Sequence, residues 1–244
     1  MNRRCLLLFP ALWCLLTTWG ANYRFRHITS ENGLPHQQVE ALAQDAKGNI
    51  WMGTRNGLAR YDGYDFSSYF HDDADSTSLT HNFVNKLFVD HQGRLWISTQ
   101  RGPCRYRPDT DDFKSYDTGS KATSIVQMNS GTIVCGGDGL WVYDEAADCF
   151  RLKESTEGLS VASMTVDSND NLYIATNRSV FFYHAGLSRA TSLDAILQPD
   201  FLTGSDDILP IFNDSQNRLW LGRNGEGVMV MDADGQLTIY QDRK

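Results

Sequence analysis

Residues 45–62 read Asp45-Ala46-Lys47-Gly48-Asn49-Ile50-Trp51-Met52-Gly53-Thr54-Arg55-Asn56-Gly57-Leu58-Ala59-Arg60-Tyr61-Asp62. A second copy follows in register as Asp90, Gly93, Arg94, Leu95, Trp96, Ile97, Ser98, Thr99, Gly102 and Tyr106, which places the two Trp residues 45 positions apart. Three weaker copies continue it: Gly131 to Val134 with Tyr143, Asp167 to Tyr173 with Tyr183, and Asp214 to Trp220 with Met231. The anchor positions 51, 96, 134, 173 and 220 are spaced by 45, 38, 39 and 47 residues. A period of about forty is that of a four-stranded propeller blade. The segments alternate in short β-branched and aromatic runs, whereas a helical solenoid of similar period would show a 3.6-residue pattern.

Working outward from the anchors gives each blade its strands. Val39, Val84, Ala122, Val161 and Ile208 open an inner strand. The Asp of the Asp-x-x-Gly turn accepts backbone N–H groups, and Gly48, Gly93, Gly131, Asp170 and Asn217 take the left-handed position there. The second strand carries a large residue, followed two positions later by a small one: Gly53, Ser98, Gly136, Ala175 and Gly222. Bulky and small residues alternating on one face let neighbouring blades interdigitate around a narrowing axis. Gly57, Gly102, Gly139, Ser179 and Gly227 turn the chain into a third strand. Outer strands are expected at 65–70, 112–116, 149–153 and 236–241, and in the fourth blade only loosely, after His184. The expectation is an all-β propeller of four-stranded antiparallel blades spanning 22–244, with blades near 39–70, 84–116, 122–153, 161–193 and 208–241. The recurrence of one aromatic per blade reads as packing between blades rather than as a sugar-stacking platform, which would need aromatics on the loops.

The two ends carry their own signals. Residues 1–21 have the composition of a secretory signal peptide: Arg3 and Arg4, then an apolar run from Leu6 to Trp19 broken by Pro10, with cleavage expected after Gly20 or Ala21. That run is too short to anchor in a bilayer core of about 30 Å, and Cys14 follows Trp13 rather than the small residue a lipoprotein site needs. Tyr23 to Thr29, within 22–29, reads as a lone closing strand. Since blade five already has a fourth strand of its own, five blades and an orphan strand imply an incomplete ring with exposed edges. Without Arg3 and Arg4, twenty basic residues face thirty acidic ones, a net charge of −10. That sign repels nucleic acid. Three cysteines remain, Cys104, Cys135 and Cys149. They make no disulfide framework and read as buried small hydrophobes, one optional disulfide being the alternative.

The repeat Asp-x-x-Gly-x-Ile-Trp-Met-Gly-Thr-x-x-Gly-Leu-x-Arg-Tyr-Asp at 45–62 resembles the two-component regulator propeller repeat. Gly33-Leu34-Pro35 with Val39, and Leu79 with Val84, fit its blade-opening segment. The resemblance implies a seven-bladed propeller in the periplasmic part of a hybrid sensor kinase, responding to glycan breakdown products and regulating genes for carbohydrate use. It also implies partners: an oligosaccharide ligand, further blades, and a downstream kinase, with homodimerisation through them. Residues 1–244 hold no second propeller, kinase core or receiver domain, so signalling is expected to need those further parts.

No catalytic constellation or cofactor motif emerges. The six His show no zinc-ligand spacing, and Gly136, Gly137 and Gly139 precede no helix, so they read as a turn. His71, Asp72, Asp73, Asp75 and His81 share one loop but lack the Gly and terminal Glu of a calcium loop, and read as solvated. The candidate ligand groups lie where topology gathers the β2–β3 turns and blade-to-blade loops on one face. They are Arg55, Asn56, Gln100, Arg101, Asp138, Asn177, Arg178, Arg223 and Asn224, with Glu226 beside them. Their planar polar groups suit hydroxyls and carboxylates, although Asn-Gly and Asp-Gly pairs are also what tight turns demand. A propeller lyase or hydrolase, with Asp138 and Glu226 as its carboxylates, and a protein-interaction platform are the alternatives to a sensor.

Overall fold

The computed structural model describes residues 25, 27–187, 189–197, 210–223 and 227–240. The expected signal peptide, Ile208, Asn224 and Glu226 lie outside them. Five four-stranded antiparallel sheets follow one another along the chain, each a simple meander. Blade one comprises β1 (Val39–Gln44), β2 (Ile50–Thr54), β3 (Gly57–Tyr61) and β4 (Phe66–Tyr69). Blade two is β5 (Val84–Val89), β6 (Leu95–Thr99), β7 (Gly102–Arg107) and β8 (Asp112–Ser115), and blade three is β9 (Ser124–Gln127), β10 (Ile133–Gly137), β11 (Gly139–Asp144) and β12 (Cys149–Leu152). Blade four has β13 (Ser163–Val166), β14 (Leu172–Ala175), β15 (Val180–Tyr183) and β16 (Ala190–Ser192). Blade five has β17 (Ile211–Asn213), β18 (Leu219–Arg223), β19 (Gly227–Met231) and β20 (Leu237–Tyr240). Of the expected closing strand at 22–29, residues 22–24 and 26 lie outside the described residues, and Phe25, His27, Ile28 and Thr29 are in no strand.

All five expected left-handed positions are so: Gly48, Gly93, Gly131, Asp170 and Asn217 have φ between 61° and 95°. The turn Asp does more than cap amides. Asp90 Oδ1 accepts the Gln92 and Arg94 amides, while Oδ2 accepts the Trp96 indole N–H at 2.8 Å and Arg94 Nε at 2.6 Å. Asp45 holds Trp51 and Asp214 holds Trp220 in the same way, at 2.9 and 2.8 Å. In blade four Tyr173 replaces the indole with a hydroxyl 3.4 Å from Asp167. In blades one, two, four and five the turn therefore clamps the large side chain six residues on.

Inner strands pack in chain order, β1 on β5, β5 on β9, β9 on β13 and β13 on β17. Between blades the small residue of β2 or β10 receives the opening hydrophobe of the next blade. A Cβ built on Gly53 would lie 2.5 Å from Val84 Cγ1, and one on Gly136 would lie 2.5 Å from Val161 Cγ1. Neither contact leaves room for a methyl. Gly136→Ala is accordingly expected to destabilise by about 1–3 kcal/mol through overpacking, and Val161→Ala in the same chain to recover part of that loss in urea unfolding.

Farther out, polar clasps tie blades one to two and two to three. Arg60 Nη1 donates to Tyr106 Oη at 2.7 Å and to Asp111 Oδ1 at 2.8 Å, and the hydroxyls of Tyr69 and Tyr106 donate to the same carboxylate at 2.7 and 2.5 Å. One blade on, Tyr116, Tyr143 and Lys114 all donate to Asp148, with Arg105 3.6 Å away. Burial opposes the charge of Asp148, but Lys114 and the two hydroxyls hold its carboxyl well below the ordinary range. Burial and the Asp111 carboxylate push the Tyr106 phenol up to about 12. Cys104 and Cys135 are buried, Cys149 is half-buried, and all three are free thiols.

Candidate ligand cleft on the loop face

Because β2 and its counterparts run away from the Asp-x-x-Gly turns, the β2–β3 type turns and the blade-to-blade loops emerge together on one face. A recess of about 670 Å³ lies there over blade two. Its walls come from three segments. One is the blade one-to-two loop, with His71, Asp72, Asp73, Asp75 and Thr80; another is the β6–β7 turn, with Gln100 and Arg101; the last is the blade two-to-three loop, with Asp117, Ser120 and Lys121.

The first wall is held by its own hydrogen bonds. Asp72 Oδ1 accepts the Ala74 amide and Asp75 Oδ1 the Thr77 amide, at 2.9 and 2.8 Å. The His71 ring lies between Leu79 O, 2.7 Å from Nδ1, and Asp73 Oδ1, 3.0 Å from Nε2. Arg101 Nη1 stands 3.7 Å from the same Asp73 oxygen, so a loose ion pair bridges two walls across exposed side chains. Exposed pairs of this kind contribute little to stability, which leaves Arg101 able to exchange Asp73 for a ligand at small cost. Burial, then the nearby His71 ring and the Arg101 guanidinium, holds His81 below the ordinary imidazole range, and its Nδ1 accepts the Phe83 amide. Thr80 and Ser115 hydroxyls meet at 3.0 Å on the cleft wall. Among the described residues no three His, Cys, Asp or Glu side chains converge in a way that would hold a metal ion.

Of the residues expected to face a ligand, Gln100 and Arg101 share this cleft. Gln100 Nε2 donates to Asn85 Oδ1 at 3.0 Å. Arg55 turns instead to Glu40, 2.6 Å away, and packs over the Phe83 ring. Asn56, Asp138, Asn177 and Arg178 are exposed on their separate turns, and Arg223 is buried. His71 was read from the sequence only as part of a solvated His/Asp loop, and Thr80, Asp117, Ser120 and Lys121 were not among the sequence candidates. Their only signal is that the loops bearing them flank the Gln100-Arg101 turn.

Such a molecule is a β-propeller with a polar, open recess on its loop face. The two component regulator propeller family model matches residues 33–56 and 78–101, the openings and Trp-bearing strands of blades one and two. Over 73 residues it is 37% identical to histidine kinase P4 of Formosa agariphila, a match covering 30% of this chain and 5% of that protein. The extracellular domain of a hybrid two-component system of B. thetaiotaomicron superposes with a TM-score of 0.66 at 20% identity, over 79% of this chain and 27% of the other. Virginiamycin B lyase of Staphylococcus aureus shares the fold with a TM-score of 0.64 at 14% identity, over 84% of this chain and 70% of the lyase. This chain thus spans well under half the length of the sensor proteins it matches.

Proposed function

We propose that this chain is the periplasmic, ligand-sensing propeller region of a hybrid two-component sensor, that it binds a glycan-derived oligosaccharide on its loop face, and that it carries out no catalysis itself. The observation that carries the reading is the cleft over blade two. Carboxylate, hydroxyl, guanidinium and ammonium groups from three loops face one recess, and its walls offer many hydrogen-bonding groups to a ligand rich in hydroxyls. The extracellular sensor domains of the same fold support the sensing role and a location outside the cytoplasm. No helix among the described residues is long and apolar enough to cross a membrane. In a parent sensor, binding would bias the geometry of further blades and of a downstream kinase.

Titration calorimetry with a panel of oligosaccharides tests this. Saturable heat without product formation is expected. Arg101→Ala and Lys121→Ala should each weaken binding about tenfold or more, since a hydrogen bond to a charged group contributes about 1.5–3 kcal/mol. Product formation would instead favour a lyase or hydrolase, and heat only with a protein partner would favour an interaction platform.

A further inference from the structure

The Asp-x-x-Gly turns occupy the face opposite the loop-face cleft, and two successive blade boundaries differ there. Between blades two and three, Arg94 crosses the boundary. Its Nε donates to Asp90 Oδ2 and its Nη1 to Glu145 Oε1, both at 2.6 Å. Its guanidinium lies 5.4 Å from the Trp96 ring and 5.6 Å from that of Tyr143. In blade one the residue at the Arg94 position is Asn49, which folds back onto Asp45 Oδ2 at 2.8 Å. In blade two the residue at the Glu145 position is Pro108. A short amide and a proline cannot form the bridging ion pair, and a recess of about 240 Å³ lies at this boundary. Asp45, Lys47, Asn49, Arg60, Tyr106 and Pro108 help to line it.

We propose that this recess is a second ligand site, which takes the guanidinium group of a small molecule in the place that Arg94 fills one blade on. The features that hold Arg94 recur around it. Asp45 corresponds to Asp90. Burial opposes its charge, but Trp51 and Asn49 hold its carboxyl below the ordinary range. It therefore offers a cation an ionised acceptor, and hydrogen bonds of that kind are the strong ones. Tyr106 corresponds to Tyr143, and it packs on Trp51 at 4.7 Å between ring centroids as Tyr143 packs on Trp96 at 4.9 Å. Its ring supplies the aromatic contact that a guanidinium favours. Arg60 also borders the recess, but Asp111 meets its charge at 2.8 Å. The next boundary shows that such a neighbour is tolerated. There Arg105, the counterpart of Arg60, lies 5.5 Å from the same Trp96 ring that Arg94 approaches. Lys47, exposed where the second turn has Gln92, opposes a cation and weakens the site. The inference does not rest on the oligosaccharide reading, since the site is on the other face and takes a ligand of different chemistry.

Titrating the isotope-labelled protein with N-butylguanidinium at fixed ionic strength, and following amide chemical shifts, both measures binding and locates it. The location matters because the loop-face cleft also carries carboxylates. Saturable shifts are expected at the amides of Lys47, Asn49 and Gly93 and not at Arg101, with a dissociation constant near the millimolar range. Asn49→Arg copies the second blade and places a tethered guanidinium in the recess. It should weaken binding at least about tenfold while circular dichroism shows the fold retained. Lys47→Gln, at an exposed position, removes the opposing charge and should tighten binding about threefold. N-butylammonium has the same charge without the planar fork and should bind at least about threefold more weakly. Shifts centred on Arg101, no saturable binding, affinity unchanged by Asn49→Arg or weakened by Lys47→Gln, or equal binding of the ammonium would each overturn the proposal.

Discussion

Replacing Asp90 by alanine is expected to lower the unfolding free energy by about 3–5 kcal/mol, the range for breaking a buried charged hydrogen-bonded group. The Asp90 carboxylate is fully enclosed. It satisfies two backbone amides, the indole N–H of the fully buried Trp96 and the Arg94 guanidinium. Alanine strands all of these, and the indole has no water to turn to. Arg94 keeps Glu145 at 2.6 Å, so part of its charge remains compensated. Burial works against the Asp90 charge, but Trp96 and Arg94 overcome it and hold the carboxyl below its ordinary value. A depressed native value means that the contribution is complete above the unfolded carboxylate pKa of about 4 and is lost as pH falls below it. The native protein should therefore lose stability steeply on acidification below that point, and Asp90→Ala should show a shallower fall. Urea unfolding followed by tryptophan fluorescence at several pH values measures both. Equal slopes in the two proteins would show that Asp90 is not part of the acid-sensitive set.

Trp96→Ala should be as damaging, about 3–5 kcal/mol, because the side chain is fully buried and leaves a void that a packed sheet cannot fill. Its ring lies 4.9 Å from Tyr143, 5.6 Å from Tyr116 and 5.7 Å from Phe150, with the Arg94 and Arg105 guanidinium groups at 5.4 and 5.5 Å. Trp96→Phe retains an aromatic body but deprives Asp90 of its indole donor, and should cost about 1–3 kcal/mol. Trp220→Ala is the informative contrast. It has the same sequence environment and the same Asp clamp, yet its half-exposed ring should cost less than Trp96→Ala in the same unfolding assay. Equal losses at 96 and 220 would mean that packing between blades is not what the motif supplies.

Much of this architecture could be read from the chain, because a blade is a local object. Strand, turn and strand succeed one another within about forty residues, and each turn declares itself through residues that tolerate positive φ. The Asp–indole bond was also present as a signal, a spacing of six between Asp and Trp at 45/51, 90/96 and 214/220, but the turn alone accounted for the Asp and hid its second role. Nothing in the repeat singles out Asp111 or Asp148. Their partners Tyr69 and Tyr116 come from other stretches of chain, so only the fold reveals the clasps. The fourth strand of blade four, Ala190–Ser192, was hard to place because it is short and all three residues are exposed, which leaves no alternation to detect. The cleft was legible only in part: two residues named from the sequence, Gln100 and Arg101, line it, but its other walls come from loops brought together by packing. Turn position did not reveal that Arg55 pairs with Glu40 or that Arg223 is buried.

Inner strands pack only on their neighbours in chain order, so stabilisation passes between adjacent sheets and is not pooled by the whole molecule. Stability then approximates an intrinsic contribution from each sheet plus a coupling to its neighbours, as in a one-dimensional lattice. The Arg60–Asp111 and Arg105–Asp148 clasps make the first two couplings the strong links. Native-state hydrogen exchange should follow that gradient, with amides of β6 and β10 slowest and those of β17 to β20 opening in a separate, less costly unit.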